Sequence, residues 1–457
     1  LFQVTITSNS DRDLYMGKMA NDTFLQRFEQ QLASQSGVDH WIVALSGGLD
    51  SMVLLELASR CLPADRLTVL HINHQLQAEA DEWQAFCARQ AEQRGLAFCA
   101  EQVNLQPGSI ETAARNARYE VFAKAQSENT CVLLAHHSDD QAETLLFRLF
   151  RGAGVRGLAA MPRQRALGDG ALFRPLLDFS RSELKAWAQK EGLCWVEDPS
   201  NTDIQYDRNF LRQQVLPLLA GRWSGISERL QATASHLADA EALLEELAQS
   251  DFQNCSVDNC LLTVKLQLLS QRRQANLLRY WCRCAGVLLS AAQLSSLKAL
   301  IAAASDRQPE LILGDRVIRR YRNRLFIEAV KACPQWDALL VDVLAAPERY
   351  PGRLSLTAES DICPDPWLAG VKIRNRRDGD KCYPSGRPGK SLKHLFQEAG
   401  VPPWQRDQWP VCVRGDEIVA VPGICICEGW CEGENKPPFW LDWQPVALFA
   451  GSDSGTL

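Results

Sequence analysis

What this chain lacks narrows its class before any motif is considered. No run reaches the roughly 18 consecutive apolar residues that a membrane span needs, and the first twenty residues carry polar and charged side chains where a signal peptide would carry an apolar core. A cytoplasmic location and no membrane partner are therefore expected, with residues 1–20 read as a tail. Sixteen cysteines are present, yet none form a C-x-x-C pair. The close sets Cys282/Cys284 and Cys425/Cys427/Cys431 lack the spacing of a zinc ribbon or redox pair, so buried free thiols in a reducing compartment are the simpler expectation. There is no excess of positive charge either. A net charge of −6 argues against a surface that coats nucleic acid nonspecifically, although local basic patches remain open. Repeats and low-complexity tracts are absent. The stretch Gly386–Ser391 is not a Walker A loop, because Pro384 occupies the place of its first glycine.

What is present is enough for two or three packed domains: 457 residues, 46% of them hydrophobic and 23% charged. From residue 41, short apolar runs alternate with helix-period segments, the pattern of a doubly wound α/β domain with a parallel sheet. Strands are expected at Trp41–Leu45, Arg66–Ile72, Phe98–Val103 and Thr130–Ala135. Helices are expected at 52–61, 79–95, 109–128 and 139–151, the last with Leu145, Leu146 and Leu149 on an apolar stripe. Long helices follow at 223–250, 271–285 and 290–304, then two short β runs within 310–328. The domain bounds read as 21–222 for the α/β domain, 223–330 for a mainly helical one, 331–350 for a linker carrying Pro334 and Pro347, and 351–457 for a small α+β domain.

Ligands of doubly wound domains sit at the carboxyl ends of the strands, so the residues after each strand matter most. After the first comes Ser46-Gly47-Gly48-Leu49-Asp50-Ser51, then a helix. Two glycines allow close backbone approach, the serines offer hydroxyls, and the helix start aims free N–H groups at an anion. Asp50 is anomalous beside phosphate unless it holds a bridging Mg²⁺ or a cationic group. A plain strand–helix turn with capping residues is the structural alternative. After the second strand, His71 and His74 have no evident third metal ligand, and hydrogen-bonding or packing roles are preferred. Along 109–121, Arg115 is the candidate for bidentate phosphate contact. After the fourth strand, His136-His137-Ser138-Asp139-Asp140-Gln141-Ala142-Glu143-Thr144 gathers three carboxylates at a helix start. Capping and the helix dipole account for one or two of these acids, but not for the neighbouring histidines.

Ser46–Ser51 resembles the PP-loop of the N-type ATP pyrophosphatases. Together with His71–Leu76, Arg115–Tyr119, His136–Thr144, Arg151–Leu158 and Glu197–Asn201, in that order, the chain resembles the lysidine synthetases of that superfamily. The resemblance runs from about 40 to 215 and resumes at Arg374–Asp380 and Ser391–Pro410. It implies adenylation, by ATP, of the C2 carbonyl oxygen of the wobble cytidine in a CAU-anticodon isoleucine tRNA. Free L-lysine then attacks and displaces AMP, so that the tRNA reads AUA instead of AUG. On that reading Ser46, Gly47, Gly48, Leu49, Asp50 and Ser51 bind ATP, with Arg115 and His136 as further contacts. Asp50, Asp139, Asp140 and Glu143 are the catalytic candidates, and Asp50 and Asp140 the Mg²⁺ candidates. Division of roles among the last three acids stays open, as does a homodimer. Basic residues Arg151, Arg156, Arg374, Arg376, Arg377, Lys381, Lys390 and Lys393 are the tRNA-binding candidates, while the interleaved Tyr383 and Phe396 are more simply core. A PP-loop tRNA thiolase is the nearest rival, disfavoured by the absence of C-x-x-C. A small-molecule amide synthetase leaves the basic C-terminal segment unexplained, and a noncatalytic tRNA-binding protein predicts a damaged loop.

Overall fold

The computed structural model describes residues 23–75, 79–103, 110–199, 203–303, 309–330, 335–346, 350, 353–358, 368–430 and 439–444. The expected tail over 1–20, together with Leu76, Ser200, Asn201, Pro334, Pro347 and Cys431, lies outside these residues. Two compact units divide the chain at Leu243/Leu244. No helix among the described residues is long and apolar enough to cross a membrane.

The first unit is built on a six-stranded sheet in the order β3-β2-β1-β4-β6-β5. Its strands are β1 (His40–Ala44), β2 (Leu67–Asn73), β3 (Ala97–Gln102), β4 (Thr130–Leu133), β5 (Gln164–Leu167) and β6 (Gly170–Phe173). All pairs are parallel except β5 with β6. The parallel strands were expected; the β5–β6 hairpin was not, because its strands are four residues long and β5 carries Gln164 and Arg165. The central strands β1 and β4 are buried on both faces, which is why Trp41, Ile42 and Val43, and Cys131, Val132 and Leu133, are apolar without alternation. Crossover helices α2 (Leu49–Cys61), α3 (Ala80–Glu92), α4 (Ile110–Lys124) and α5 (Ser138–Phe150) cover the sheet after an opening helix α1 over 23–33. On α5 the buried stripe is Ala142, Leu145 and Leu146, whereas Leu149 is exposed, one turn beyond the packed face. Helix Arg181–Lys190 starts with a complete capping box: Ser180 Oγ accepts from Glu183 N at 3.2 Å, and Ser180 N donates to Glu183 Oε2 at 2.7 Å.

In the second unit, helices Gln271–Cys284 and Ala291–Ala302 pack against a five-stranded antiparallel sheet in the order β7-β8-β11-β10-β9, from Ser256–Val257, Cys260–Leu262, Arg324–Ala329, Arg316–Tyr321 and Glu310–Leu313. Leu277, Leu278, Trp281 and Cys282 face its core. Trp281 is fully buried, so Trp281→Ala is expected to cost about 3–5 kcal/mol, read as a shift in the urea midpoint. The C-terminal sheet has the order β12-β14-β17-β18-β19, from Asp337–Leu339, Lys372–Asn375, Pro410–Arg414, Glu417–Val421 and Cys425–Ile426. Here the expected linker over 331–350 needs correction: Asp337–Leu339 pairs with Lys372–Asn375, and helix Leu340–Ala345 buries Leu340 and Val343 in the same core. The expectation of free thiols also needs correction, since Cys382 and Cys427 are joined by a disulfide. Cys87, Cys131, Cys255, Cys282 and Cys412 are free and buried.

Candidate active site

The carboxyl ends of β1, β2 and β4 open onto a cleft of about 1030 Å³, lined by the phosphate-loop residues Ser46, Gly48, Leu49, Asp50 and Ser51 and by His71, His74, Arg118, Tyr119, His136, Arg181 and Arg212. The loop shapes its own floor. Ser51 Oγ donates to Gly48 O at 2.9 Å and lies 3.1 Å from Ser46 Oγ, which fixes both hydroxyls at the start of α2. Gly47 has a φ of +86°, and a Cβ there would meet Cys87 Sγ at 3.2 Å. Gly47→Ala therefore combines backbone strain with a clash and is expected to cost about 1–3 kcal/mol, seen as a lowered melting temperature.

Helix α5 delivers the acidic side. The His137 amide donates to Asp140 Oδ2 at 3.0 Å, as the capping reading anticipates. His137 itself is 1% exposed and surrounded by carboxylates. Its Nε2 lies 3.6 Å from Asp50 Oδ2 and 3.5 Å from Asp140 Oδ2, and its Nδ1 lies 3.7 Å from Asp139 Oδ2. Burial pushes the His137 pKa down, but Asp140, Asp50 and Asp139 outweigh it and hold it above the ordinary value. Burial likewise raises Asp50, and the His137, Arg181 and Arg212 charges more than offset this, leaving its carboxyl below the usual range. Asp50 Oδ1 is buried with no hydrogen-bond partner among the described residues.

Asp139, Asp140 and Glu143 do not line the cleft directly. Asp139 Oδ2 accepts from the Arg181 amide at 2.9 Å. Arg212 lies over the other two, with Nε to Glu143 Oε1 at 2.6 Å, Nη2 to Glu143 Oε2 at 2.9 Å and Nη2 to Asp140 Oδ1 at 3.1 Å. Glu143 is 3% exposed, and burial keeps its carboxyl above the ordinary value despite Arg212. The sequence reading did not single out Arg212. It sits on a π-helical turn, Leu211–Val215. Pro217 lacks the N–H that would close a regular turn onto Gln213, and a wider turn results.

Arg115 is not among the cleft-lining residues; its Nη2 reaches Tyr119 Oη at 3.3 Å, while Arg118 and Tyr119 face the cleft. Behind them Arg174, 2% exposed, donates from Nε to His136 Nδ1 at 3.3 Å and from Nη1 to Pro162 O at 2.6 Å. His136 is pushed down to about 3 by burial first and then by the Arg174, Arg118 and Arg115 charges, against the pull of Asp140. With Nδ1 accepting, the proton sits on Nε2. We expect long-range ¹H–¹⁵N spectra at pH 5 to show His136 as the neutral Nε2–H tautomer, where a free histidine is mostly charged. A depressed histidine adds stability that is complete above about pH 6.5 and declines as pH falls towards the folded value. His71 is a packing residue, its Nδ1 2.8 Å from Leu45 O.

The basic candidates differ in what holds them. Arg151 lies over the Phe147 ring at 3.9 Å and 3.5 Å from Asp207, and Arg156 is exposed. In the second unit Arg374 is clamped by Asp380 at 2.8 and 2.9 Å, Arg376 by Asp407 at 2.6 Å and Lys390 by Glu398 at 2.7 Å. Arg377, Lys381 and Lys393 are exposed. Phe396 is core as expected; Tyr383 is not, at 57% exposed.

Comparison with known proteins bears on the whole chain. The PP-loop domain family matches residues 20–219, the TilS substrate binding domain 263–326 and the TilS substrate C-terminal domain 371–443. The tRNA(Ile)-lysidine synthase of Pseudomonas fluorescens is 38% identical over 440 residues, covering 92% of this chain and 96% of that protein. That of Coxiella burnetii is 39% identical over 425 residues, covering 90% and 94%. That of Pseudomonas syringae is 41% identical over 423 residues, covering 88% and 93%. With the Ser46–Ser51 loop and Arg212 lining one cleft and such relatives matched over nearly their full length, the chain belongs to the tRNA(Ile)-lysidine synthase family.

Proposed function

We propose that the cleft adenylates the wobble cytidine of CAU-anticodon tRNA(Ile) with ATP and then exchanges AMP for L-lysine. The observation that carries this reading is that the Ser46–Ser51 loop, with its partnerless Asp50 oxygen, and Arg212 line one cleft, with Asp140 and Glu143 held on Arg212 behind that wall. In the first step the C2 oxygen attacks the α-phosphorus of ATP and pyrophosphate leaves. The Ser46 hydroxyl and the free amides at the start of α2 receive the phosphate oxygens, while Ser51, which donates to Gly48 O, holds the Ser46 hydroxyl in place. Arg118 and the neutral Nε2–H of His136 complete the positive wall, in the position first assigned to Arg115.

A buried carboxylate oxygen without a partner suits a hard cation, so Asp50 is the residue that would hold Mg²⁺; both oxygens of Asp140, the other candidate, already accept from the His137 amide and Arg212. When bound, the ion supplies charge neutralisation at the phosphates. In the second step the lysine amine, an ammonium in water, needs an anionic seat and a proton acceptor. Asp140 and Glu143 supply the seat, in exchange for part of their contact with Arg212. Glu143 is the proton acceptor we assign, because burial raises its carboxyl. The amine then attacks C2 and AMP departs. Arg151, Arg156, Arg377, Lys381 and Lys393 are the tRNA contacts we favour, because their charge faces solvent.

The test is pyrophosphate and AMP release from ATP with and without the tRNA. Release that requires the tRNA supports the reading, and release that ignores it removes the nucleic acid from the first step.

A further inference from the structure

The C-terminal domain places three sulfurs together that no spacing rule would join. Cys382 lies on strand β15 (Lys381–Cys382), paired with β16 (Lys390–Ser391), and this hairpin carries the exposed cation Lys381 and the half-buried Lys390. Cys425 and Cys427 are separated by one residue at the sheet edge. In extended chain such a spacing turns both side chains to one face, with Ile426 to the other. The backbone locks the two segments side by side: Ser385 N donates to Ile426 O at 3.0 Å, Glu428 N donates to Tyr383 O at 2.8 Å, and Pro384 bridges to Cys427. As a result Cys425 Sγ lies 3.6 Å from Cys382 Sγ, and all three sulfurs fall within 4.8 Å of one another.

We propose that Cys382, Cys425 and Cys427, once the Cys382–Cys427 disulfide is reduced, form a thiolate site for a soft-ligand divalent metal of the Zn²⁺ type. Zinc–thiolate bonds of about 2.3 Å place tetrahedral sulfurs about 3.8 Å apart, close to the separation of Cys382 and Cys425. The chemistry balances with a dithiol as the reductant: two electrons and two protons convert the disulfide to two thiols, the dithiol becomes a disulfide, and metal binding releases the three thiol protons. Three thiolates and one divalent ion carry a net negative charge, and the Arg387 charge acts on Cys425 from the same hairpin. The fourth position is open to water or another donor. Occupancy would pin the basic 381–391 hairpin to the sheet edge by a bond that does not require an oxidising compartment.

The test is Co²⁺ titration of the full-length chain, reduced with a phosphine under anaerobic conditions. A thiolate-to-Co²⁺ charge-transfer band saturating at equimolar metal and bleached by Zn²⁺ is expected. It should be lost in Cys425→Ser and Cys425→Ala, absent in the oxidised chain, and retained in Cys284→Ser, whose thiol is exposed elsewhere. Circular dichroism on each variant separates loss of the site from loss of fold. No band in the reduced chain, or an equal band in folded Cys425→Ser, would overturn the site and leave a disulfide with a neighbouring thiol.

Discussion

Arg212→Ala is expected to destabilise the first unit by about 3–5 kcal/mol near neutral pH, because it strands a buried carboxylate. Glu143 is 3% exposed, and Arg212 contacts both of its carboxylate oxygens, at 2.6 and 2.9 Å. Burial already raises the Glu143 carboxyl. Without Arg212 it should rise further, so that the acid folds neutral and takes up a proton relative to the unfolded chain. A folded pKa above the unfolded one gives stability that is full below the unfolded value and falls as pH rises through the folded value. The urea midpoint of Arg212→Ala should accordingly drop further below wild type at pH 8 than at pH 5.5. Adding Glu143→Gln to Arg212→Ala removes the stranded charge and should recover part of the loss. Activity is not expected to return, because Glu143 is the proposed proton acceptor; turnover should stay down by about 10²-fold or more. Equal midpoints for wild type and Arg212→Ala at both pH values would mean that the ion pair carries no weight in folding.

The second large effect is at Asp50. Asn has nearly the same shape, so Asp50→Asn should fold, but it removes the anion that faces His137 and leaves nothing to hold a cation at the phosphate loop. Turnover is expected to fall by about 10²–10³-fold, the scale of losing one preorganised electrostatic contact. Binding of tRNA, which we assign to the exposed basic residues, should change by less than about threefold, under 1 kcal/mol. AMP release and filter binding on the same preparation separate the two. If the variant loses tRNA binding in proportion to turnover, Asp50 belongs to recognition instead.

The residues that could be read from sequence are those whose meaning is local. Ser46–Ser51 is contiguous and lies between an apolar strand and a helix, so strand, loop and anion-binding geometry follow from one short stretch. Asp139 and Asp140 are similar, since a helix start by itself explains acids in its first turn. Arg212 could not be found this way: its partners lie 69 and 72 residues earlier, and its orientation depends on a π turn that periodicity does not encode. The basic C-terminal run shows the same limit from the other side. Counting charges puts Arg374, Arg376 and Lys390 in one patch, whereas folding gives each a carboxylate, in the case of Arg376 the distant Asp407. Cysteine spacing failed for Cys382, which meets Cys427 across 45 residues. Short strands such as Gln164–Leu167, and the packed segment Asp337–Ala345, were missed because neighbours elsewhere in the chain, rather than local propensity, hold them in place.

The central claim is tested most directly by incubating the chain with ATP, Mg²⁺, radiolabelled lysine and CAU-anticodon isoleucine tRNA, and mapping the label by nuclease digestion while AMP is followed. We predict label at the wobble cytidine in step with AMP. AMP released without label in the tRNA would contradict lysine as the nucleophile while keeping the adenylation step.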